Sequence, residues 1–164
     1  AWRCCYETLP KVRSRTLPWV TGVHLMLTIT IPSLPPTELS PNARVHWRVR
    51  APIAAAAKEE AMVLCWGAMQ DMRLEMGIER WKEYPNYPLD GCVVRFRYGL
   101  PDKRRRDLDN LISASKAYLD GVVASGLIRD DSHRNISLEY AWFDSPKIPL
   151  TIIVVDGGTA ERGD

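Results

Sequence analysis

The sequence has no long hydrophobic run. Its longest stretch rich in apolar residues, IPLTIIVV at 148–155, contains eight residues, whereas a helix needs about 20 to span a bilayer. That length is typical of a buried strand. The N-terminal residues contain no continuous apolar segment of the secretory type. We therefore expect a cytoplasmic protein with no membrane partner.

The sequence also has few cysteines, and none form a pair with metal-site spacing. Cys4 and Cys5 are adjacent, whereas Cys65 and Cys92 are isolated. The three histidines are scattered and add no zinc pattern. This number and spacing of cysteines and histidines favours reduced thiols in a cytoplasmic protein over a disulfide framework or a zinc centre.

A strong net charge of either sign is absent as well. The 22 basic and 20 acidic side chains leave a formal charge of +2, which excludes a uniformly basic coat of the histone type. Apolar residues make up 46% and charged residues 26% of the 164 residues, a composition typical of globular domains rather than disordered chains. A chain of this length can bury a core without disulfides.

Hydrophobic periodicity predicts an α+β domain. Alternating apolar residues predict strands at 23–32, 92–100, 135–144 and 149–157, and runs of helix formers predict helices at 52–76 and 108–124. Pro52 suits a first helical turn, and Gly77 and Gly126 suit helix ends. The order β-α-β-α-β-β favours a single mixed sheet of about four strands with two helices packed on it.

The chain divides into three parts. Residues 1–24 show no period and are interpreted as an N-terminal extension, either disordered or foreign to the native protein. Residues 25–156 form the predicted domain, and residues 157–164 (GGTAERGD) form a flexible tail.

One segment concentrates charge of both signs. Residues 95–106 carry six basic side chains against one carboxylate, which leaves a local charge of +5. Two pairs of carboxylates then flank the second helix. Asp107 and Asp109 stand at the start of the second helix, and Asp130 and Asp131 come after the turn that ends it.

Lys116 lies seven residues after Asp109, which is about 700° around a helix and about 10.5 Å along its axis. The two side chains therefore share a face, together with Asp120. Carboxylates beside cations suit metal-assisted phosphodiester chemistry, because Mg²⁺ prefers one or two carboxylates together with phosphate and water. Arginines would neutralise a DNA backbone, and a nearby lysine would stabilise charge that develops on the phosphate.

Each of these groups has a simpler explanation when it is taken alone. Asp107 and Asp109 suit the first turn of any helix, and the Asp130–Asp131 pair suits a turn. The arginine run and Lys116 could be ordinary solvated surface residues. Their joint occurrence within residues 103–131 is the specific signal.

Three consecutive motifs resemble the RusA family of Holliday junction resolvases, which is found in bacteria and their phages. They are PDKRRRDLDN, a following helix with a lysine and LDG, and then SGLIRDD. These motifs lie within residues 101–131, and LTITIPSLPPTELSPNARVHW at 27–47 is a weaker match. The resemblance implies a RusA-like fold and a homodimer that makes paired symmetric nicks in four-way DNA junctions. It also implies Mg²⁺ as the cofactor, for which Mn²⁺ can substitute.

The resemblance assigns the essential carboxylates to Asp107, Asp109 and Asp131, with Asp130 as a further metal ligand. The family's functional lysine would fall at Ser113, and a three-residue insertion would place it at Lys116 instead. The DNA-binding residues inferred with it are Lys103, Arg104, Arg105, Arg106, Arg95 and Arg97, and a basic and aromatic group of Arg44, His46, Trp47 and Arg48.

Two further functions stay open on the sequence. A protein that binds branched DNA without cutting it is compatible with the displaced Lys116. A metal nuclease or phosphatase on an unrelated α+β fold is the other alternative. The lack of a Glu/Asp-x-Lys triplet on a strand argues against the PD-(D/E)xK nuclease layout.

Overall fold

The computed structural model describes residues 25–77, 87–146 and 148–157. Its elements, in chain order, are β1 (Met26–Ile31), a 3-10 helix (Thr37–Leu39), α1 (Trp47–Met76), β2 (Cys92–Leu100), α2 (Leu108–Ala114), α3 (Lys116–Ala124), β3 (Ile136–Asp144) and β4 (Leu150–Asp156). The predicted α+β class and element order are confirmed, with the second helix in two parts. The predicted extension at 1–24 and the tail from 158 onward lie outside the described residues.

The four strands form one mixed sheet in the order β1-β4-β2-β3. β4 runs antiparallel to both β1 and β2, whereas β2 and β3 are parallel. Parallel neighbours need a crossover connection, and α2 and α3 form it here. As a result, the charged segment at 101–131 lies between the carboxyl end of β2 and the amino end of β3.

The sheet buries one face against the helices. Side chains alternate along β1, so that Leu27, Ile29 and Ile31 are buried and their neighbours exposed. The same alternation places Phe96 and Tyr98 of β2 in the core. β3 is an edge strand whose side chains are largely exposed. The core therefore lies between the inner face of the sheet and the layer of α1 and α3.

Helix α1 begins five residues before the predicted start at Pro52, which lies inside the helix. The His46 imidazole Nδ1 accepts a hydrogen bond from the Arg48 amide at 3.2 Å. This contact caps the helix where the sequence offers no Ser, Thr, Asp or Asn for that role. The predicted end is confirmed, because Gly77 adopts a φ of 76° there.

The continuous helix predicted over 108–124 is divided at Ser115. The Ser115 hydroxyl donates to the Leu111 carbonyl at 2.8 Å and lies 2.7 Å from the Tyr98 hydroxyl. Serine side chains that bond back to the preceding turn bend helices. A buried polar contact with β2 therefore sets the junction between α2 and α3.

The described helices include none with the length and apolar character that crossing a bilayer requires. The two cysteines within the described ranges, Cys65 and Cys92, are buried free thiols.

Candidate metal and nucleic-acid site

The loop that follows β2 is folded around Asp102. One carboxylate oxygen accepts hydrogen bonds from the Arg104 amide at 3.0 Å and from the Arg106 guanidinium at 2.7 Å. The bond from Arg106 holds the pKa of Asp102 below its usual range. Lys103 and Arg105 are exposed and have no ion pair with any described residue. The basic run thus presents charge that is only partly neutralised within the loop.

Asp107 and Asp109 stand at the start of α2 and are both exposed. Asp107 occupies the capping position, but its side chain makes no capping hydrogen bond. Its backbone carbonyl accepts from the Asn110 amide at 3.2 Å. The structure therefore leaves the Asp107 carboxylate available to a ligand. Two exposed carboxylates with water completing the shell fit the way that proteins hold Mg²⁺.

Lys116, the first residue of α3, bridges two carboxylates. Its Nζ donates to Asp120, one turn along α3, and to Asp131, which follows the turn after α3. Partial burial lowers the pKa of Lys116, but the bonds to the two aspartates outweigh it and raise that pKa overall. The same ammonium lowers the pKa of Asp131. The predicted shared face of Lys116 and Asp120 is therefore seen, and Asp131 joins them in one charge cluster. The prediction that Asp109 shares this face assumed one continuous helix, which the structure divides at Ser115.

Asp130 holds the turn that leads into β3. One of its oxygens accepts from the Ser132 amide at 2.8 Å, and the other accepts from the Asn135 side chain at 2.7 Å. Hydrogen bonds from Ser132 and then from Asn135 lower the pKa of Asp130. Both oxygens are engaged within the fold, so this carboxylate has a structural contact that Asp107 lacks.

The structure does not gather all the predicted metal ligands at one point. Within residues 25–77, 87–146 and 148–157, no group of three or more His, Cys, Asp or Glu side chains is placed to hold a metal ion. The parallel pairing of β2 and β3 explains the separation, because Asp107 follows one end of the crossover and Asp131 precedes the other. Asp131 is instead neutralised by Lys116.

Arg95 and Arg97 lie on the open face of the sheet, opposite the helices. Their neighbours Phe96 and Tyr98 point into the core. The Arg95 guanidinium donates to Glu139 at 2.6 Å and to Asp156 at 2.7 Å. The Arg97 guanidinium lies 5.5 Å from the centre of the Phe143 ring. Both arginines, predicted to bind DNA together with the loop at 103–106, therefore lie on the face of the sheet opposite the helices.

The predicted basic and aromatic group is exposed at the start of α1. The Trp47 side chain is 67% exposed, and its ring lies 5.8 Å from the His46 ring and 5.4 Å from the Arg48 guanidinium carbon. Arg44, in the preceding loop, is exposed as well. An uncovered aromatic ring between cationic groups can stack on a nucleic-acid base.

A cleft of about 460 Å³ lies between the loop after β1 and helix α2. Asp107, Arg105 and Arg106 line one side of it. Asn42 and Asn110 meet across it, with the Asn42 amide donating to the Asn110 oxygen at 3.1 Å. Neither asparagine was predicted as a site residue, although Asn110 directly follows the carboxylate pair and Asn42 belongs to the weaker motif.

The chain is 33% identical over 116 residues to an uncharacterized protein of Xylella fastidiosa (strain Temecula1 / ATCC 700964). The match covers 68% of this chain and 65% of that protein, so the chain spans less than two thirds of the relative's length. No family model matches the chain.

Proposed function

We propose that the protein is a Mg²⁺-dependent structure-selective endonuclease that resolves four-way DNA junctions by paired symmetric nicks, as its resemblance to the RusA family implies. One observation carries the proposal. The exposed carboxylates of Asp107 and Asp109 directly follow the basic run of residues 103–106, in which Lys103, Arg104 and Arg105 are exposed. Such an arrangement can hold a phosphodiester against a metal-binding group.

The reaction consumes one water, whose oxygen attacks phosphorus while one P–O ester bond breaks and the leaving oxygen takes up a proton. Bound Mg²⁺ would polarise the phosphate and lower the pKa of the attacking water. Asp107 and Asp109 would hold that ion, and Arg105 would bind the phosphate backbone. Lys116 would stabilise negative charge that develops on the phosphate. In the structure Lys116 is paired with Asp120 and Asp131.

A homodimer follows from the symmetry of the substrate. A four-way junction has approximate two-fold symmetry, and a C2 dimer presents two identical sites to it. The two described cysteines are free thiols, which supports our proposal of a reducing, cytoplasmic setting in a bacterial cell, in a protein encoded by the bacterium or by a phage.

A second candidate is a branched-DNA-binding protein that does not cut. The ion pair between Lys116 and Asp131 favours it, because the ammonium supplies the positive charge that a metal would otherwise bring to that carboxylate. The cationic loop at 103–106 would then serve binding alone.

One experiment separates the two. A synthetic four-way junction and a linear duplex of the same sequence are incubated with the full chain, with and without Mg²⁺, and both nicking and gel shift are recorded. The endonuclease nicks the junction only with Mg²⁺. Asp107→Asn abolishes nicking and retains the shift, whereas the exposed control Asp71→Asn nicks like the wild type. A shift without nicking at any Mg²⁺ or Mn²⁺ concentration supports the second candidate.

A further inference from the structure

The cleft beside Asp107 has a wall that the fold holds in place. The loop from Ser33 to Ala43 forms this wall, and it is tied to three other elements. The Ser33 carbonyl accepts from Thr151 of β4 at 2.8 Å, and the Ser33 hydroxyl lies 3.2 Å from that of Tyr118 in α3. The Leu39 carbonyl accepts from Arg50 of α1 at 2.8 Å. The cleft is therefore pre-formed, which lowers the entropic cost of binding.

The amide pair of Asn42 and Asn110 leaves hydrogen-bonding groups unused. Each side chain has one amide oxygen and one NH₂ group, and their contact uses one oxygen and one N–H. The Asn42 oxygen and the Asn110 NH₂ accordingly remain for a ligand. If both amides are turned around, the pair still presents one acceptor and one NH₂. This donor–acceptor pair matches the edge of a nucleobase, which offers an acceptor next to a donor.

The rest of the lining matches the other parts of a nucleotide. Arg105 and Arg106 supply positive charge at one side, where a phosphate would bind. Leu34, Pro35 and Leu111 supply an apolar surface for a base or sugar. The volume of about 460 Å³ lies in the range of small-molecule sites, about 300–1,000 Å³. Asp107 lines the same cleft, so a bound nucleotide would adjoin the phosphate at the metal site.

We propose that this cleft is a nucleotide subsite, in which one unstacked nucleotide of the DNA strand binds beside the phosphate at Asp107 and the Asn42–Asn110 amide pair reads its base. That the bound nucleotide belongs to a strand of junction DNA rests on the proposed function. Bases at a strand crossover are easier to unstack than those inside a duplex, and an unstacked base exposes its hydrogen-bonding edge.

The first test needs no cleavage. The full chain, labelled with ¹⁵N, is titrated with four single-stranded trideoxynucleotides that differ only in the central base, and the asparagine side-chain resonances are followed by NMR. We expect the Asn42 and Asn110 signals to shift, with one base bound about fivefold or more tightly than the weakest. Equal affinity for all four bases, or shifts confined to other residues, overturns the proposal.

The second test uses cleavage. Junctions that carry each of the sixteen dinucleotides at the crossover are nicked by the wild type, Asn42→Ala, Asn110→Ala and the control Gln70→Ala, which removes an exposed amide from α1. Both asparagine variants should reduce the spread of rates between sequences about fivefold or more, while the Mg²⁺ concentration at half-maximal rate is unchanged. If the spread of nicking rates in the asparagine variants equals that in Gln70→Ala, the proposal is overturned. Thermal unfolding of each variant verifies that it is folded.

The two tests also separate the subsite from the proposed function. If the wild type nicks no junction, the endonuclease proposal fails, and the NMR titration still decides whether the cleft binds a base. If junctions are cut at equal rates whatever their sequence, the endonuclease stands and the reading of a base by the amide pair is wrong.

Discussion

Lys116 and Asp131, fifteen residues apart in the chain, form an ion pair across the turn that follows α3. The ammonium lowers the pKa of the Asp131 carboxyl. We expect Lys116→Met to raise the pKa of Asp131, because the carboxylate loses its charge partner and hydrogen-bond donor. Carboxyl ¹³C shifts recorded against pH measure this pKa. Lys58→Met, which removes an exposed lysine from α1, is the matched control and should leave it unchanged.

The same pair predicts a pH window for stability. The Asp131 pKa is lowered on folding, so its contribution is complete above the unfolded value, about 3.9, and is lost as the pH falls through the folded pKa. The Lys116 pKa is raised, so its contribution is complete below about pH 10.4 and is lost at higher pH. The wild type should exceed Lys116→Met in unfolding free energy by at most about 1 kcal/mol between those limits, because the pair is exposed. A difference that persists at pH 2 contradicts this.

Two helical glycines should respond to alanine with opposite signs. A Cβ at Gly121 in α3 would lie 2.4 Å from the Lys58 carbonyl oxygen and 2.7 Å from the Ala61 Cβ in α1, so Gly121→Ala should destabilise the protein by about 1–3 kcal/mol. A Cβ at Gly67 in α1 would meet nothing within 4 Å, and Gly67→Ala should stabilise it by about 0.5–1 kcal/mol. Urea unfolding measures both. Equal effects would show that α1 and α3 do not approach closely at Gly121.

The buried contact at the junction of α2 and α3 should show strong coupling. Ser115 donates its hydroxyl proton to Leu111, so the Tyr98 hydroxyl is the donor to Ser115. Ser115→Ala leaves that buried hydroxyl without its partner and should cost about 1–3 kcal/mol. Tyr98→Phe removes the donor and should cost about 0.5–1.5 kcal/mol. The double variant should be less destabilised than the sum of the two, and strict additivity in urea unfolding would exclude the contact.

Salt dependence should distinguish the arginines that face DNA from those that do not. Arg105 is exposed in the loop after β2 and lines the cleft at Asp107. If its guanidinium binds one phosphate, Arg105→Ala lowers the slope of log affinity for a junction against log salt by about 0.9. Arg95 is already paired with Glu139 and Asp156, and Arg95→Ala should leave that slope unchanged. The reverse result would place the DNA on the open face of the sheet.

The strands were the most predictable part of the fold. Alternation of apolar residues gave the limits of β2 correctly, since one face of a sheet must be buried. The sheet order and the parallel pairing of β2 with β3 could not be predicted, because they depend on contacts between distant segments. The start of α1 at Trp47 was missed because histidine is an uncommon cap. The division at Ser115 depends on its contact with Tyr98 of another element.

The candidate site was predictable only where it is local in sequence. Asp107 and Asp109 adjoin the cationic run in the chain, so their proximity needs no tertiary structure. The contact between Asn42 and Asn110 joins residues 68 positions apart, and no periodicity reveals such a pair. Arg95 counted as a free cation in the sequence, whereas its two carboxylate partners come from β3 and β4.

The position of β4 in the sheet has a consequence for synthesis. It is the last of the four described strands, yet it lies between β1 and β2, and Gly157 just after it donates to the Leu25 carbonyl at 2.8 Å. A nascent chain that ends before Leu150 therefore carries β1 without its neighbour and β2 with one edge open. The sheet can close only after Asp156 has left the ribosome, so the final folding step follows translation of the whole domain.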